Sequence, residues 1–504
     1  MVFTSFAFLY FLTVVLVGLQ VLRTRDLRHL LLLVASCYFY AYWEPIYLLL
    51  LLTPSLIDYW CSIRIEDAGE DQIARKRWLL FSLVSNLGLL GYFKYADFFV
   101  TNIASLLGVT PISLQILLPV GISFYTFKTL SYTIDVYRRE IPACRSLWRY
   151  AMFVTYFPEL VAGPIVRASV FLPQMTRSLR PSWGRAVTGL QVILLGVTKK
   201  LLIADRLAIF VDSIFAQPAL YDPLTVTAAV ISYAIQIYCD FSGYSDIAIG
   251  VSRIIGFDLP ENFNMPYRAL NMVDFWRRWH ITLSQWLRDY LYIPLGGNRG
   301  GRINTYRNLM ITMLLGGLWH GASWNFVCWG GLHGLALAAN HFWTRDWKPL
   351  GDRPPIPYFK PLRWLATFTF TCITWVFFRS PDFSVSVVIL RKITWLDQSG
   401  SGWFYSPLAW ILPVVVAAHA LGGWAENAAS ALPRNQRKLR PPAWLRSLYA
   451  GNGLRFGVRP HAAAGLYLLL PLPGFWGVFV GVLWLLAIGL FAAIDSKPFI
   501  YFQF

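Results

Sequence analysis

The chain has 504 residues, of which 56% are hydrophobic, 17% aromatic and 14% charged. A soluble domain carries about 25% charged residues, so this composition excludes an ordinary water-soluble enzyme and indicates a protein that uses the lipid bilayer as its solvent. The net charge of +18 would suggest nucleic-acid binding in a soluble protein. Here the basic residues lie mainly between apolar runs, which is typical of loops that face an anionic cytoplasmic surface, so we expect no nucleic-acid partner.

Apolar runs recur along the chain, each close to the roughly 20 residues needed to cross a bilayer. The run 6–22 has no basic segment before it and no small-residue cleavage site after it, so we expect a retained membrane helix there. The predicted membrane segments are 6–22, 29–43, 45–63, 78–98, 115–135, 148–166, 186–204, 224–250, 305–319, 322–343, 363–379, 403–422 and 463–494. They predict an all-α, polytopic membrane protein of roughly 11–14 transmembrane helices, folded as a single domain over residues 1–504.

Three polar or proline-rich stretches, 62–77, 345–363 and the basic 423–462, are predicted to be loops. The stretch 261–304 is rich in Trp, Arg, Pro and Gly, although it lies between membrane segments. It is too polar to face lipid, so we expect a re-entrant or interfacial segment that is covered by protein or lines a wet cavity.

A histidine flanked by glycines lies between two apolar segments, in the motif GGLWHGASWN at 316–325. Ionisable residues inside a membrane are costly, and His320 can act as a general base near neutral pH. The glycines allow a substrate or another helix to approach the backbone closely. A structural histidine that bonds to a neighbouring helix is an equally good interpretation at this point.

A second cluster occupies DFWRRWHITLS at 274–284 and continues to Arg288. If this stretch is one helix, Asp274, Arg277 and Arg288 share a stripe. Arginines here either anchor the segment at the interface or contact phosphates through their planar, bidentate donors. His280 either bonds to a backbone carbonyl or belongs to the site.

Two carboxylates lie in the apolar stretch QIYCDFSGYSD at 236–246. Asp240 and Tyr244 are candidate substrate contacts, but we favour pairing of Asp240 and Asp246 with the arginines of the second cluster, because buried carboxylates need partners. A Pro/Gly-kinked stretch, LPVGISFY at 118–125, forms either a substrate wall or ordinary packing. The histidines and cysteines show neither HExxH nor CxxC spacing, so no metal site is predicted.

These motifs together resemble the membrane-bound O-acyltransferase family, and within it the bacterial alginate O-acetylation type. The matching stretches are LPVGISFY (118–125), AGPI (162–165), DFSGYSD (240–246), ENFN (261–264), FWRRWH (275–280), LRDY (287–290), LGGNR (295–299), TYRN (305–308), GGLWHG (316–321) and the tail PFIYFQF (498–504). The resemblance spans nearly the whole chain, with core motifs at about 115–345, and is weakest over 345–465.

The resemblance implies a ring of helices around a central funnel, in which a cytoplasmic acyl donor meets an acceptor from the other face. It implies that His320 is the catalytic histidine and His280 the second functional one. The donor is expected to be acetyl-CoA, with no bound cofactor. The acetyl group is expected to pass to a periplasmic acetyltransferase partner or onto a secreted polysaccharide, from a multi-pass protein of the bacterial inner membrane.

Within this scheme His320 takes the proton of the acceptor hydroxyl, and His280 orients the acceptor or stabilises charge. Arg277, Arg278 and Arg288 are candidate phosphate ligands for coenzyme A, and Trp324 and Asn325 are candidate lining residues. Acylation of peptidoglycan, cellulose or a D-alanylated polymer would use the same histidine chemistry. A transporter and a scaffold subunit of an export complex also remain open at this point.

Overall fold

The computed structural model describes residues 1–110, 114, 116–160, 163–176, 182–347, 359–431, 475–491 and 499–500. Over these residues the chain is helical, and the one β feature found there is a single bridge between Tyr221 and Ser401. The predicted all-α class is therefore confirmed. In chain order the α-helices are α1 Phe6–Val21, α2 Arg25–Ala41, α3 Ile46–Asp67, α4 Gln72–Leu90, α5 Ala96–Leu107, α6 Ile122–Tyr137, α7 Leu147–Thr155, α8 Ala168–Phe171, α9 Trp183–Val197, α10 Asp205–Ala216, α11 Pro223–Ile255, α12 Met272–Arg278, α13 Ile281–Leu287, α14 Arg302–His320, α15 Trp324–His341, α16 Lys360–Arg379, α17 Phe383–Ile393, α18 Leu408–Ala431 and α19 Phe475–Phe491.

Four helical runs of the described chain are long and apolar enough to cross a membrane: Ile46–Asp67, Gln72–Leu107, Trp183–Ala216 and Pro223–Ile255. Shorter apolar helices add Phe6–Val21, Leu408–Trp424 and Gly481–Leu490. The chain is thus a multi-pass membrane protein. The ring of 11–14 spanning helices around a funnel stays a prediction.

Two of the long runs join α-helices through π-helical turns. The turn Gly91–Tyr95 links α4 to α5, and Thr198–Ala204 links α9 to α10. The predicted segments 78–98 and 186–204 are therefore parts of longer helices. A π-turn inside an α-helix is rare and frequently marks a functional position.

The predicted boundaries fail at several places. The segment 115–135 is wrong at its start, because α6 begins only at Ile122. The segment 148–166 is wrong beyond Thr155, because α7 ends there and Pro158 and Pro164 prevent the helix from continuing. The loop predicted at 62–77 is also wrong, since α3 continues to Asp67 and α4 begins at Gln72. Asp71 is the N-cap of α4, because its carboxylate accepts hydrogen bonds from the backbone N–H groups at the start of that helix. Most of the predicted loops 345–363 and 423–462 lies outside the described residues. Within the described part, the π-turn Phe342–Trp347 and α16, from Lys360, extend into the first loop, and α18 extends into the second as far as Ala431.

Helix α11, with 33 residues, is mostly buried and packs against α9 through two pairs of glycines. A Cβ on Gly196 would meet the carbonyl oxygen of Gly243 at 2.5 Å, and one on Gly189 would meet that of Gly250 at 2.7 Å. Small residues let helix backbones approach closely in a membrane, where lipid offers no hydrophobic driving force for association. These contacts place the carboxylates of α11 beside the lysines that follow α9.

The expected pairing of Asp240 and Asp246 with arginines is wrong. Asp246 accepts a hydrogen bond from Lys199 at 2.7 Å, and Lys200 pairs with both Asp240, at 2.6 Å, and Asp205, at 2.8 Å. Leaving one buried charge without its partner costs roughly 3–5 kcal/mol, so these pairs are needed for the fold once the groups are buried.

The stretch 261–304 is built from short elements. Helices α12 and α13 are separated by Trp279 and His280, and a π-turn, Arg288–Tyr292, follows α13. His280 has φ +41° and ψ 56°, a left-handed conformation that ends any continuous helix. The expected single stripe of Asp274, Arg277 and Arg288 is therefore wrong.

Candidate active site around two buried histidines

His320 is the last residue of α14, and only 5% of its surface is exposed. The imidazole lies among aromatic rings, with the ring centroid of Trp319 at 4.9 Å and those of Trp329 and Phe378 at 5.0 Å. This apolar wall keeps bulk water away from the ring.

Glycines fix where α14 ends relative to α15. A Cβ on Gly317 would collide with the carbonyl oxygen of Phe326, and a Cβ on Gly330 would collide with that of Met313. Of the two interpretations of the glycines before His320, the approach of another helix accounts for Gly317. The close contact fixes the helix end on which His320 lies.

His280 is fully buried between α12 and α13. Its ring meets Phe241 edge-on at 4.8 Å between centroids, and Phe124 stacks on it at 6.3 Å. Phe124 belongs to the Pro/Gly stretch 118–125, and its ring also lies 5.2 Å from that of Trp319. That stretch therefore contributes a wall beside the second histidine.

Asn262 sets the tautomer of His280. The amide oxygen of Asn262 accepts hydrogen bonds from the backbone N–H of Thr282 at 3.3 Å and from its hydroxyl at 2.9 Å. A backbone N–H can only donate, so this atom of Asn262 is the oxygen. His280 Nδ1, 3.1 Å from the same oxygen, must then carry the ring proton. His280 Nε2 consequently presents a lone pair, and it has no hydrogen-bond partner among the described residues.

The indole ring of Trp319 lies close to both histidines. Its ring centroid is 4.9 Å from that of His320 and 6.0 Å from that of His280. Its side chain is buried, and within the described part of the chain its indole N–H has no acceptor. A buried donor without an acceptor is costly, so such a group is a candidate ligand contact.

The three candidate phosphate-binding arginines have different surroundings. Arg278 pairs with Asp274, four residues earlier, with Nε 2.8 Å from the carboxylate oxygen. Arg288 is exposed and bonds to the neighbouring Asp289 at 2.6 Å. Arg277 is exposed, and no ion pair to it is found in the described ranges. Arg277 and Arg288 are thus the two that solvent and a ligand can reach.

Two further arginines converge on Asp289. Arg167 pairs with the Asp289 carboxylate, and Arg138 donates to its backbone carbonyl at 3.1 Å. Burial raises the pKa of the Asp289 carboxyl, but hydrogen bonds from Arg288 and Arg167 outweigh burial and hold that pKa below its ordinary value. Asp289 is therefore ionised at neutral pH and offsets part of the positive charge there.

The remaining candidates make contacts of other kinds. Asp240 binds Lys200 and accepts from the backbone N–H of Ile500 at 2.7 Å, and Tyr244 packs between rings of Phe3 and Phe499. Trp324 is 60% exposed and donates to Asn102, and Asn325 is buried and donates to the carbonyl of Ser380. In the described part of the chain no group of three or more His, Cys, Asp or Glu residues is placed to hold a metal.

Sequence reasoning missed Asn262 and Lys94 as parts of this region. Asn262 lies in the ENFN motif, so the signal was present but its role was not assigned. Lys94 is a cation inside the predicted membrane segment 78–98, and its Nζ lies 3.2 Å from the carbonyl oxygen of His320. A charged residue inside a membrane segment is costly, and this cost is the signal in the sequence that could have identified Lys94.

Comparison with known proteins shows the family of the chain. Residues 24–379 match the profile of the membrane-bound O-acyltransferase (MBOAT) family. The chain is 45% identical over 392 residues to a protein of Pseudomonas aeruginosa named probable alginate O-acetylase AlgI. The matched region covers 77% of this chain and 73% of that protein. It is 38% identical to the peptidoglycan O-acetyltransferase of Helicobacter pylori over 73% of each chain. It is 29% identical to the teichoic acid D-alanyltransferase of Bacillus subtilis over 52% of this chain and 69% of that one. The chain therefore belongs to the membrane-bound O-acyltransferase family and is a membrane O-acyltransferase.

Proposed function

We propose that the protein moves an acetyl group from cytoplasmic acetyl-CoA, across the bacterial inner membrane, for O-acetylation of a secreted polysaccharide such as alginate. The single observation that carries the chemistry is the pair of buried histidines whose rings both contact the ring of Trp319. The name of the Pseudomonas aeruginosa relative supports the acetyl group and the alginate acceptor. The expected partners are the bilayer, acetyl-CoA, a periplasmic acetyltransferase protein and the polysaccharide.

In this scheme His320 is the general base. It takes the proton of the acceptor hydroxyl as the hydroxyl oxygen attacks the thioester carbonyl carbon. The carbon–sulfur bond then breaks, and the coenzyme A thiolate leaves and takes up the proton that His320 holds. The aromatic rings around His320 support this role because they exclude water, which would otherwise hydrolyse the thioester.

His280 orients the acceptor. The bond from Nδ1 to Asn262 leaves Nε2 as an acceptor, so Nε2 can bind a hydroxyl proton but cannot donate to an oxyanion in the same tautomer. The indole N–H of Trp319 supplies the donor that the developing oxyanion needs. Of the two roles open to His280, this geometry favours positioning of the acceptor over stabilisation of negative charge.

The donor approaches from the side of Arg277 and Arg288. Both are exposed, whereas Arg278 is held by Asp274. From His280 to Arg288 the helical path is about 12 Å, at 1.5 Å per residue. An extended pantetheine arm is long enough to link a thioester near the histidines to phosphates at Arg288.

The test is mass spectrometry of the secreted polysaccharide from a deletion strain that carries the wild-type chain, His320→Ala or His320→Gln. We expect full acetylation with the wild type. Both His320 variants should insert into the membrane normally, and their acetylation should fall by about 10²–10⁴-fold, the contribution of a general base. His341→Ala, on the following helix against Tyr306, is the matched control and should acetylate normally. Near-normal acetylation by His320→Ala would refute the role of His320.

The acceptor is tested in the same strains. The Helicobacter pylori relative favours peptidoglycan as a second candidate acceptor. The deletion strain is compared with the wild type for acetyl groups on purified peptidoglycan and on the polysaccharide. If acetyl groups are lost only from peptidoglycan, the acceptor is peptidoglycan and not alginate, and the proposed histidine chemistry is unchanged.

A further inference from the structure

Lys94 places an ammonium group inside the apolar run Gln72–Leu107, in the π-turn Gly91–Tyr95. A charged side chain at this depth is costly unless each of its donors has a partner. Lys94 is only partly exposed, and no salt bridge to it is found within the described ranges. The charge must therefore be stabilised by uncharged hydrogen-bond acceptors.

The three N–H donors of Lys94 match three acceptors. Its Nζ lies 2.5 Å from the carbonyl oxygen of Trp319, 3.2 Å from that of His320 and 3.3 Å from the hydroxyl of Ser123. Two of these acceptors are backbone carbonyls of the very residues that form the proposed site.

These carbonyls are ones that α14 itself leaves without partners. The last four carbonyls of a helix have no intrahelical donor, and a cation is favoured at this negative end of the helix dipole. Gly321, after the helix, is extended and makes no capping bond. Lys94 therefore caps the helix end that carries His320.

The neighbouring Tyr95 reinforces the cap by donating to the carbonyl of Leu318 at 2.8 Å. Lys94 and Tyr95 both belong to the π-turn Gly91–Tyr95, and both reach α14. Three successive carbonyls at the end of α14 thus receive bonds from one π-turn.

We propose that Lys94 is a positioning residue, which holds the end of α14 and thereby the ring of His320 by donating to the Trp319 and His320 carbonyls. Its donors are occupied by backbone and hydroxyl acceptors, so it does not serve as the base or the oxyanion donor. This inference rests on the proposed acetyl transfer. It adds that the rate depends on a residue of a different helix, far from His320 in the sequence.

The experiment uses inverted membrane vesicles from the deletion strain that carry each variant. Radiolabelled acetyl-CoA is added outside, at the cytoplasmic face, and unacetylated polysaccharide from the deletion strain is enclosed in the lumen as acceptor. A displacement of about 1 Å can cost about 10²-fold in rate. Lys94→Met should therefore lose about 10²-fold in kcat with the KM for acetyl-CoA within about twofold of the wild type. Lys94→Arg keeps a charged donor and should restore much of kcat. Lys76→Met, an exposed lysine of the same helical run, should behave as the wild type.

The outcomes separate this inference from the proposed function. Wild-type vesicles that transfer no label would refute the function, whereas inactive His320→Ala beside fully active Lys94→Met would refute only the role of Lys94. Lys94→Met and Lys94→Arg that lose kcat equally, with the same fall in thermal stability, would show general destabilisation and also overturn it. If Lys94→Met does not insert, Lys94→Gln, which keeps donors without the charge, takes its place with the same expected loss in kcat.

Discussion

At His280 the backbone holds a bulky residue in the left-handed region, with φ +41°. Such a conformation costs of order 1–3 kcal/mol and persists only where the surroundings determine it. Here Asn262 holds the conformation through both its backbone and its side chain. Its backbone carbonyl accepts a hydrogen bond from Ile281 N–H at 2.9 Å, and its side chain binds His280 and Thr282. The strain is consistent with a ring that must point in one direction.

The first residue-scale prediction concerns Asn262. Asn262→Ala removes the acceptor that fixes the proton on His280 Nδ1. We expect activity to fall roughly 10–100-fold, the loss that is seen when the residue orienting a metal-binding histidine is removed. His280→Ala should fold and lose most activity. Asn264→Ala, in the same motif but bonded to Arg278 through its backbone, is the control. Acetyl transfer is measured beside thermal stability in detergent, and a fully active Asn262→Ala protein would contradict the assigned tautomer.

Single residues could be predicted where a membrane makes their presence costly. That argument singled out His320, His280 and the carboxylates of α11 from the sequence. It could not find the partners of Asp240 and Asp246, because Lys199 and Lys200 lie more than 35 residues away on the run after α9. Their pairing follows from helix packing and not from spacing.

At the scale of elements, α14 and α15 meet through backbone rather than side chains. A Cβ on Gly317 would collide with the carbonyl oxygen of Phe326 and lie 3.2 Å from Gly330 Cα. Neither atom can move without shifting a helix. A Cβ on the adjacent Gly316 would meet only the end of the Leu287 side chain, at 3.2 Å, and that group can rotate away.

This difference gives a paired prediction. Gly317→Ala should cost about 1–3 kcal/mol by overpacking and should lower kcat by about 10²-fold because the end of α14 moves. Gly316→Ala should stay close to the wild type in both respects. Thermal unfolding in detergent and vesicle acetyl transfer measure the two effects. Equal behaviour of the two variants would show that the helix contact does not position His320.

Hydropathy located most helices, because apolar runs of the right length have few alternatives in a bilayer. It did not show that Gln72–Leu107 and Trp183–Ala216 are continuous through π-turns, since a π-turn leaves no periodic signal in the sequence. It also gave no warning of the break at His280. Whether a histidine adopts a left-handed conformation depends on tertiary bonds such as those from Asn262.

At the scale of the whole molecule, one end gathers charged residues around the turn between α3 and α4. Glu70 in this turn pairs with Arg139 at 2.9 Å, and Arg145 pairs with Glu66 at 2.8 Å. Arg75, Lys76 and Arg77 begin α4 at the same end. An excess of Lys and Arg beside membrane helices indicates the cytoplasmic side. We infer that this end faces the cytoplasm.

The last prediction tests that orientation and extends it to the basic segment 423–462, most of which lies outside the described residues. Because Lys and Arg bias short loops inward, a cysteine at Asn435 and one at Glu70 should both resist an impermeant thiol reagent in intact spheroplasts. Helix α3 crosses between Glu44 and Glu70, since its 22 residues span about 33 Å at 1.5 Å per residue. Glu44→Cys, at the exposed opposite end of α3, should therefore react.

The native cysteines, several of which are buried, are first replaced by alanine, and solubilised protein shows that each introduced thiol can react. Labelling of Asn435→Cys in intact spheroplasts, with Glu70→Cys protected, would move the basic segment to the periplasmic side, and labelling of Glu70→Cys with Glu44→Cys protected would invert the whole chain.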